Sequence, residues 1–385
     1  MDAAIGPSTR ERSVSRAHVR CDAPHPIARL KSGLGNGPFA LVALFVSPKT
    51  DFEKTVQEAR LAFGPAEVIA CTTAGEIADD GYAEGTIVAV GFPSALFAVT
   101  LVVVEDLARV SHHALIDEIT ASRAELAYAH AIFPQEFGFL MVDGLSRMED
   151  QLMALLSMAL GSTPVFGGSA GDGADFRRTL VSAGGRTLTS GAVLALVRTA
   201  CGVKVFKTDH LRPTGTRMVV TEADPERRLV REINAEPAAR EYARILGKDP
   251  EQLNQFTFAA HPVVVRMGGQ HYVRAIQGVT ETGELVFLSA IDEGLVLTLA
   301  DAKPMVEHLA GELATLSTGG RPDIILAADC ILRRREAEEK RLMADICALF
   351  SAYRVVGFSS YGEQVNGLHV NQTLTGVAIY PPAAM

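Results

Sequence analysis

Cysteine is scarce and odd in number: five residues, at positions 21, 71, 201, 330 and 347, with no pair at C-x-x-C spacing. That excludes a disulfide framework or a zinc ribbon and fits a reducing compartment, the cytoplasm. No apolar run reaches the about 20 residues that a membrane-spanning helix needs, and residues 1–34 lack the apolar centre of a secretory signal. Positive charge is also in deficit, with a net charge of -9 and a pI near 5.6. A general nucleic-acid or anionic-membrane binder is thereby excluded, because phosphate attraction needs clustered Lys and Arg. The basic triplet Arg333-Arg334-Arg335 is followed by Glu336, Glu338 and Glu339, the pattern of a solvated helix with internal charge pairs.

Other chemistry-bearing patterns are missing too. There is no GxxxxGK[ST], and Gly33-Leu-Gly-Asn-Gly37 neither follows a strand nor has GxGxxG spacing, so a phosphate-cradling loop is not indicated. The ten histidines include no HxxxH pair, and no CxxCH haem attachment is present.

What is present is apolar content of 48% against 21% charged residues in 385, enough to bury substantial cores in two or three domains. Pro164-Val-Phe-Gly-Gly-Ser-Ala-Gly-Asp172 reads as a buried strand ending in a tight glycine turn. The same order of hydroxyl, spacer, glycine and acid recurs at Thr73-Ala-Gly-Glu76 and Ser360-Tyr-Gly-Glu363. Each copy follows an apolar strand (residues 41–46, 137–142 and 324–327) and an amphipathic helical stretch, so duplicated α/β modules are expected. Helices are expected at residues 51–63, 113–129, 148–160 and 303–317. Strands 178–183 and 190–199 are expected to pair through Gly184-Gly185. The alternation predicts an α/β or α+β layered architecture. Residues 1–35 read as a flexible tail, residues 36–234 as a first domain and residues 235–385 as a second.

Strand-end hydroxyls and turn amides suit a polar small-molecule cleft, lined by Thr73, Ser169, Asp172, Ser360 and Glu363. Gly167-Gly-Ser-Ala-Gly171 meets the G-x-S-x-G register of a nucleophile elbow, but a strand rather than a long helix follows, so Ser169 is not assigned as a nucleophile and no catalytic residue is expected. Asn371-Gln-Thr373 is read as a polar turn or strand-edge contact. A non-covalent haem needs one axial ligand and an apolar cage. His261, preceded by Phe256 and Phe258 and followed by valines, is the first candidate, and His210 the second.

Gly167 to Asp172, Pro213-Thr-Gly215, Asn234-x-x-Pro-Ala238 with Tyr242, Cys330-x-x-Arg333, Gly357 to Glu363 and Asn371-x-Thr373 together resemble the FIST sensory domain. The resemblance runs from about residue 36 to about residue 380 and implies two related domains, FIST N and FIST C, in an intracellular signal-transduction input. Cys71 to Ile77 with Gly81-Tyr82, Phe258 to Val263 and Ile291 to Val296 are similar to the bacterial nitric-oxide-sensing haemoproteins of the NosP type. That likeness implies a non-catalytic, cytoplasmic sensor that binds haem b, detects nitric oxide and signals to a histidine kinase, or to a diguanylate cyclase or phosphodiesterase. The alternative is a FIST-type amino-acid sensor without haem. A homodimer is expected only as a general prior. One departure stands out: Ala235 occupies a position where the family's Ile-Asn-Gly form has glycine.

Overall fold

The computed structural model describes residues 13–267 and 269–382, the side chains of Gln255 and Phe256 excepted. Three modules of one design follow each other. The first comprises β1 (Ser15–Arg20), α1 (Pro26–Leu34), β2 (Phe39–Val46), α2 (Phe52–Phe63), β3 (Glu67–Thr72), the short hairpin β4 (Glu76–Ala78) and β5 (Gly81–Ala83), and β6 (Thr86–Pro93). The second repeats it with β7 (Phe97–Val104), α3 (His112–Ala129), β8 (Gln135–Val142), α4 (Glu149–Leu160), β9 (Val165–Ser169), the hairpin β10 (Val181–Ala183) and β11 (Arg186–Leu188), and β12 (Ala192–Thr199).

The third opens with β13 (Cys201–Thr208) and is interrupted by an insert. Within the insert lie β14 (Leu211–Asp224), β15 (Leu229–Ile233), β16 (Glu236–Pro237), α5 (Ala238–Leu246), α6 (Gln255–Ala260), β17 (Val263–Met267), β18 (Gln270–Arg274), β19 (Ile276–Val279), β20 (Leu285–Phe287) and β21 (Val296–Ala302). The module then resumes with α7 (Met305–Leu316), β22 (Ile324–Cys330), α8 (Ile331–Glu339), α9 (Met343–Tyr353), β23 (Val355–Ser360), the hairpin β24 (Glu363–Val365) and β25 (Leu368–Val370), and β26 (Leu374–Pro382). The expected mixed α+β layering is present.

The hairpins do not stay with their modules. The three six-stranded sheets run β1-β6-β2-β3-β10-β11, β7-β12-β8-β9-β24-β25 and β13-β26-β22-β23-β4-β5. Each sheet is therefore completed by the hairpin of another module, and the exchange closes in a ring. This corrects one sequence expectation: β10 turns through Gly184-Gly185 (φ 58° and 84°) into β11, while β12 belongs to the neighbouring sheet. The small first-module hairpin could not fold alone, since isolated two-stranded ribbons are marginal in water.

Strand alternation explains why the sequence reads as continuous apolar runs, because both sheet faces are covered. Phe45, Phe139 and Phe358, one from each module, point to a shared core, where Phe45 stacks on Phe358 at 4.8 Å between ring centroids and meets Phe139 edge-on at 6.4 Å. Val42, Leu44 and Val46 face outward onto α1 and α2. Leu140 and Val142 do the same beneath α3 and α4, and Ile325 and Ala327 beneath α7 and α9.

Residues 15–34, expected as part of the tail, instead form β1, paired antiparallel with β6, and α1, which buries Ile27, Leu30 and Leu34 on the first sheet. The apolar spacing of the helix was masked by the Pro, Gly and Arg around it. The remainder of the expected tail, residues 1–12, lies outside the described residues. The expected division near residue 235 falls in the two-residue turn between β15 and β16, inside the insert sheet β18-β17-β21-β14-β15-β20-β19. Among the described residues no helix is long and apolar enough to cross a membrane.

That β15–β16 turn explains the glycine departure. Ile233 pairs with Glu236, leaving Asn234 and Ala235 as a two-residue loop with φ of 54° and 61°. A loop with positive φ at both centres favours Asn-Gly, because a Cβ is crowded in the left-handed region. Replacing Ala235→Gly should stabilise the protein by about 1 kcal/mol, read as a higher midpoint in urea unfolding. An unchanged or lower midpoint would show that the turn carries no strain.

Candidate functional site

The three glycine turns place their acids differently. Glu76 accepts the Thr73 hydroxyl at 2.5 Å, and the Thr86 hydroxyl and N–H at 2.9 and 3.1 Å. Glu363 repeats this, accepting Ser360 Oγ at 2.7 Å and the Thr373 hydroxyl and N–H at 2.7 and 3.2 Å. Each ties the turn before a hairpin to the strand after it. In the second module Val181 opens the hairpin instead, and Asp143 bridges from below by accepting the Thr179 hydroxyl and the Ser190 N–H.

Asp172, at the acid position of the second turn, accepts the Tyr361 hydroxyl and the N–H groups of Phe176, Arg177 and Arg178 at 2.9, 2.7 and 2.7 Å. Burial raises its pKa, but the hydrogen bonds from Tyr361 and the three N–H groups outweigh it, and the net shift is downward. Ser169 receives a hydrogen bond from Gln364 Nε2 at 2.9 Å.

The expected single cleft is therefore not formed. Thr73, Ser169, Ser360 and Glu363 are fully buried in the links between modules. Asp172 does reach a cavity wall. The sequence identified the recurring turns correctly but could not show that exchange of the hairpins turns them inward.

Crevices open instead where the paired parallel strands of each module end, as expected where loops leave a sheet at strand C-termini. At the ends of β2 and β3 an open cleft of about 760 Å³ is lined by Lys49, Glu53, Thr72, Glu76, Asp172 and Arg178 among others. Glu53 and Arg178 pair across it at 2.6 Å on the exposed rim.

The corresponding place in the third module is filled with side chains. Arg333 donates from Nε to Asp329 at 2.8 Å and from Nη1 to His210 Nδ1 at 3.0 Å. The other nitrogen of His210 faces both Glu336 oxygens at 3.1 and 3.0 Å, and the Tyr82 hydroxyl donates to Asp329. Burial opposes the charge of Glu336, yet His210 and Lys340 hold it below the usual carboxylate range. Two corrections follow. Arg333, Arg334 and Glu336 are buried at 2%, 6% and 5% exposure rather than lying on a solvated face. His210, with both ring nitrogens engaged in this network, does not fit an axial haem ligand.

His261 ends α6, and its backbone N–H is bonded to Thr257. Its half-buried imidazole has no hydrogen-bond partner among the described residues. Desolvation, helped by Lys248, lowers its pKa and favours the neutral, ligating form. It lines neither the cleft at the ends of β2 and β3 nor the cavity at the ends of β8 and β9. The flanking Phe256 side chain lies outside the described residues. Among those residues, no group of three or more His, Cys, Asp or Glu is placed to hold a metal ion.

The second-module crevice is different again. Where β8 and β9 end, a cavity of about 270 Å³ opens between the three-sheet core and the insert. The core supplies Gly144, Arg147, Glu149, Phe176 and Tyr361, and the insert supplies Arg227, Arg228, Gln277 and Phe287. Arg228 and Glu149 meet at 2.5 Å with side-chain exposures of 9% and 2%. Arg228 also donates to the Leu288 carbonyl, and Asp150 lies 3.9 Å from it. Phe176 stacks on Tyr361 with centroids 4.2 Å apart.

Three residues in this wall hold left-handed backbone without being glycine: Arg147, Phe176 and Arg228, with φ of 58°, 53° and 57°. Such conformations cost of order 1–3 kcal/mol each and concentrate at ligand sites. Behind the wall, Ser169 Oγ lies 3.5 Å from Glu149, and Gln364 bridges Ser169 to His369. Arg274 donates to the His369 carbonyl at 3.1 Å. Gln364 Oε1, Arg274 Nε, Ser289 Oγ and both polar atoms of the Asn371 side chain are buried without hydrogen-bond partners among the described residues. Neither the Glu149–Arg228 pair nor the left-handed residues carried a signal in the sequence, because the partners are 79 positions apart.

A sensor built around a small-ligand cleft agrees with the family comparison. The FIST N domain matches residues 40–236 and the FIST C domain residues 238–366. The chain belongs to the FIST family of signal-transduction sensor proteins. No curated protein matches it.

The buried turn acids give a pH signature. Burial pushes Glu363 up to about 8, against the hydrogen bonds from Ser360 and Thr373. A carboxyl whose folded pKa exceeds its unfolded value of about 4.3 contributes stability that is full below that value and is lost as pH rises to the folded pKa. The melting temperature of the wild type should therefore fall from about pH 5 to about pH 8 relative to Glu363→Gln. Parallel curves for the two proteins would mean that Glu363 ionises normally.

Proposed function

We propose that this FIST protein is a cytoplasmic sensor whose ligand, an amino acid or similar zwitterion, binds between the three-sheet core and the insert. The observation that carries this reading is the buried Glu149–Arg228 pair in the wall of the inter-layer cavity. Opposite charges side by side match a carboxylate and an ammonium on one small molecule, and charge-assisted hydrogen bonds are the strong ones. Because Glu149 belongs to the core and Arg228 to the insert, a ligand satisfying both would alter how the two layers hold each other. Differential affinity for two arrangements is the requirement for a signal.

Titration calorimetry of the full chain against a panel of amino acids tests the reading. At least one should bind, and Arg228→Gln should weaken it by roughly tenfold or more, the size expected for one charged hydrogen bond. Should that variant misfold, the paired change Glu149→Gln with Arg228→Gln, which leaves no lone buried charge, replaces it. Binding unaffected by either would place the ligand elsewhere.

A second reading keeps haem b and nitric oxide, with a histidine kinase, diguanylate cyclase or phosphodiesterase as the partner. Its support is His261, whose imidazole is unpaired among the described residues and biased toward the neutral form. Bound haem would supply an iron that takes up the gas. Reconstitution with haem should then give a sharp Soret band that shifts with nitric oxide and is lost in His261→Ala. A broad spectrum of loosely adsorbed haem, indifferent to the substitution, would remove this reading.

A further inference from the structure

Charge in the inter-layer cavity is unbalanced. Three arginines line it, the buried Arg228 and the exposed Arg147 and Arg227, against the single carboxylate Glu149. Arg228 is bonded to Glu149, and the nearby Asp150 is engaged by the Ala290 N–H at 3.1 Å. The side chains of Arg147 and Arg227 have no acidic partner among the described residues. Two exposed arginines without an acidic partner at the rim of one small cavity are a local excess of positive charge in a chain of net charge -9. They come from opposite sides, Arg147 from the loop after β8 and Arg227 from the turn between β14 and β15. Arg147 is also one of the left-handed residues of the wall, so its backbone is fixed by the surrounding loop and not by a helix or strand.

We infer that the ligand of this cavity carries a second acid group, held by Arg147 and Arg227: a small dicarboxylate, such as an acidic amino acid, which adds an ammonium group to the two carboxylates. This rests on the reading that the cavity is the ligand site. The first carboxylate pairs with Arg228 deep in the cavity, and the second lies at the rim between the other two guanidinium groups, whose planar forks suit carboxylate oxygens. The about 270 Å³ available suits a molecule of this size. The stacked Phe176 and Tyr361 close one side with rigid rings and offer no competing charge.

Calorimetry with L-glutamate, L-glutamine and glutarate, on the wild type and on Arg147→Gln with Arg227→Gln, tests it. Glutamate should bind about tenfold more tightly than glutamine, as one extra charge-assisted contact would give. The double variant should erase that preference while leaving the affinity for glutamine in place. Equal binding of glutamate and glutamine, or a preference that survives the double variant, would overturn the inference and leave the zwitterion reading intact. Binding of glutarate and glutamate without glutamine would support the two-acid inference. If none of the three binds the wild type, the two-acid inference falls, and the amino-acid panel then decides whether the cavity reading falls with it.

Discussion

Everything in this molecule depends on the ring of exchanged hairpins. Each of the three sheets is finished by strands that belong to another module, so a module on its own would have an unpaired sheet edge and a hairpin with nothing to rest on. Unpaired edges invite wrong partners, and here the right partner is always another part of the same chain. Close approach of the turns is what makes this possible. A Cβ on Gly171 would sit 2.7 Å from the backbone nitrogen of Ala74, and one on Gly144 3.1 Å from the ring of Tyr361. The turns meet one another across module boundaries, and the recurring glycines follow from that contact as much as from turn geometry.

With the frame fixed in this way, the strand-end crevices can diverge. The first is open and carries its ion pair on the rim. The third is closed by the chain of Tyr82, Asp329, Arg333, His210 and Glu336, which joins the first-module hairpin to the root of the insert, where the Lys303 N–H also meets the His210 carbonyl at 2.6 Å. The second is covered by the insert itself and keeps its ion pair buried. One architecture thus provides a polar surface cleft, a side-chain network that anchors the insert and a cavity beneath the insert at three equivalent places. The differences come from which neighbour reaches over each strand end.

Much of the frame could be read from sequence because its signals are local. Apolar runs such as Leu41 to Val46 announced buried strands, and the hydroxyl-glycine-acid turns announced repetition. The same turns misled at the next level. Ser360 and Glu363 look like ligand groups until it is seen that Thr373, ten positions beyond the glutamate, turns the carboxylate inward. The six-residue strand β1 is not legible in the sequence because four of its residues, Ser15, Arg16, His18 and Arg20, are charged or polar; its hydrogen bonds to β6 and the helix packed behind it supply what composition does not. The cavity between layers was illegible for a different reason. Glu149 and Arg228 belong to units that meet only after the insert has folded against the core.

In the proposed function the buried Glu149–Arg228 pair serves recognition more than stability. Taking both charges out of water costs several kcal/mol per ion, and their attraction only roughly offsets this, so apolar residues of the same volume would hold the layers together at least as well. The same wall contains three non-glycine residues in left-handed conformation and lies next to unpartnered buried polar atoms. Each of these features is unfavourable to folding when taken singly. Their concentration at one place follows the general rule that strain and buried polarity collect where a partner completes the arrangement. In the proposed reading, a ligand with charges of both signs would supply the missing contacts, at the one of the three crevices that lies between the core and the insert.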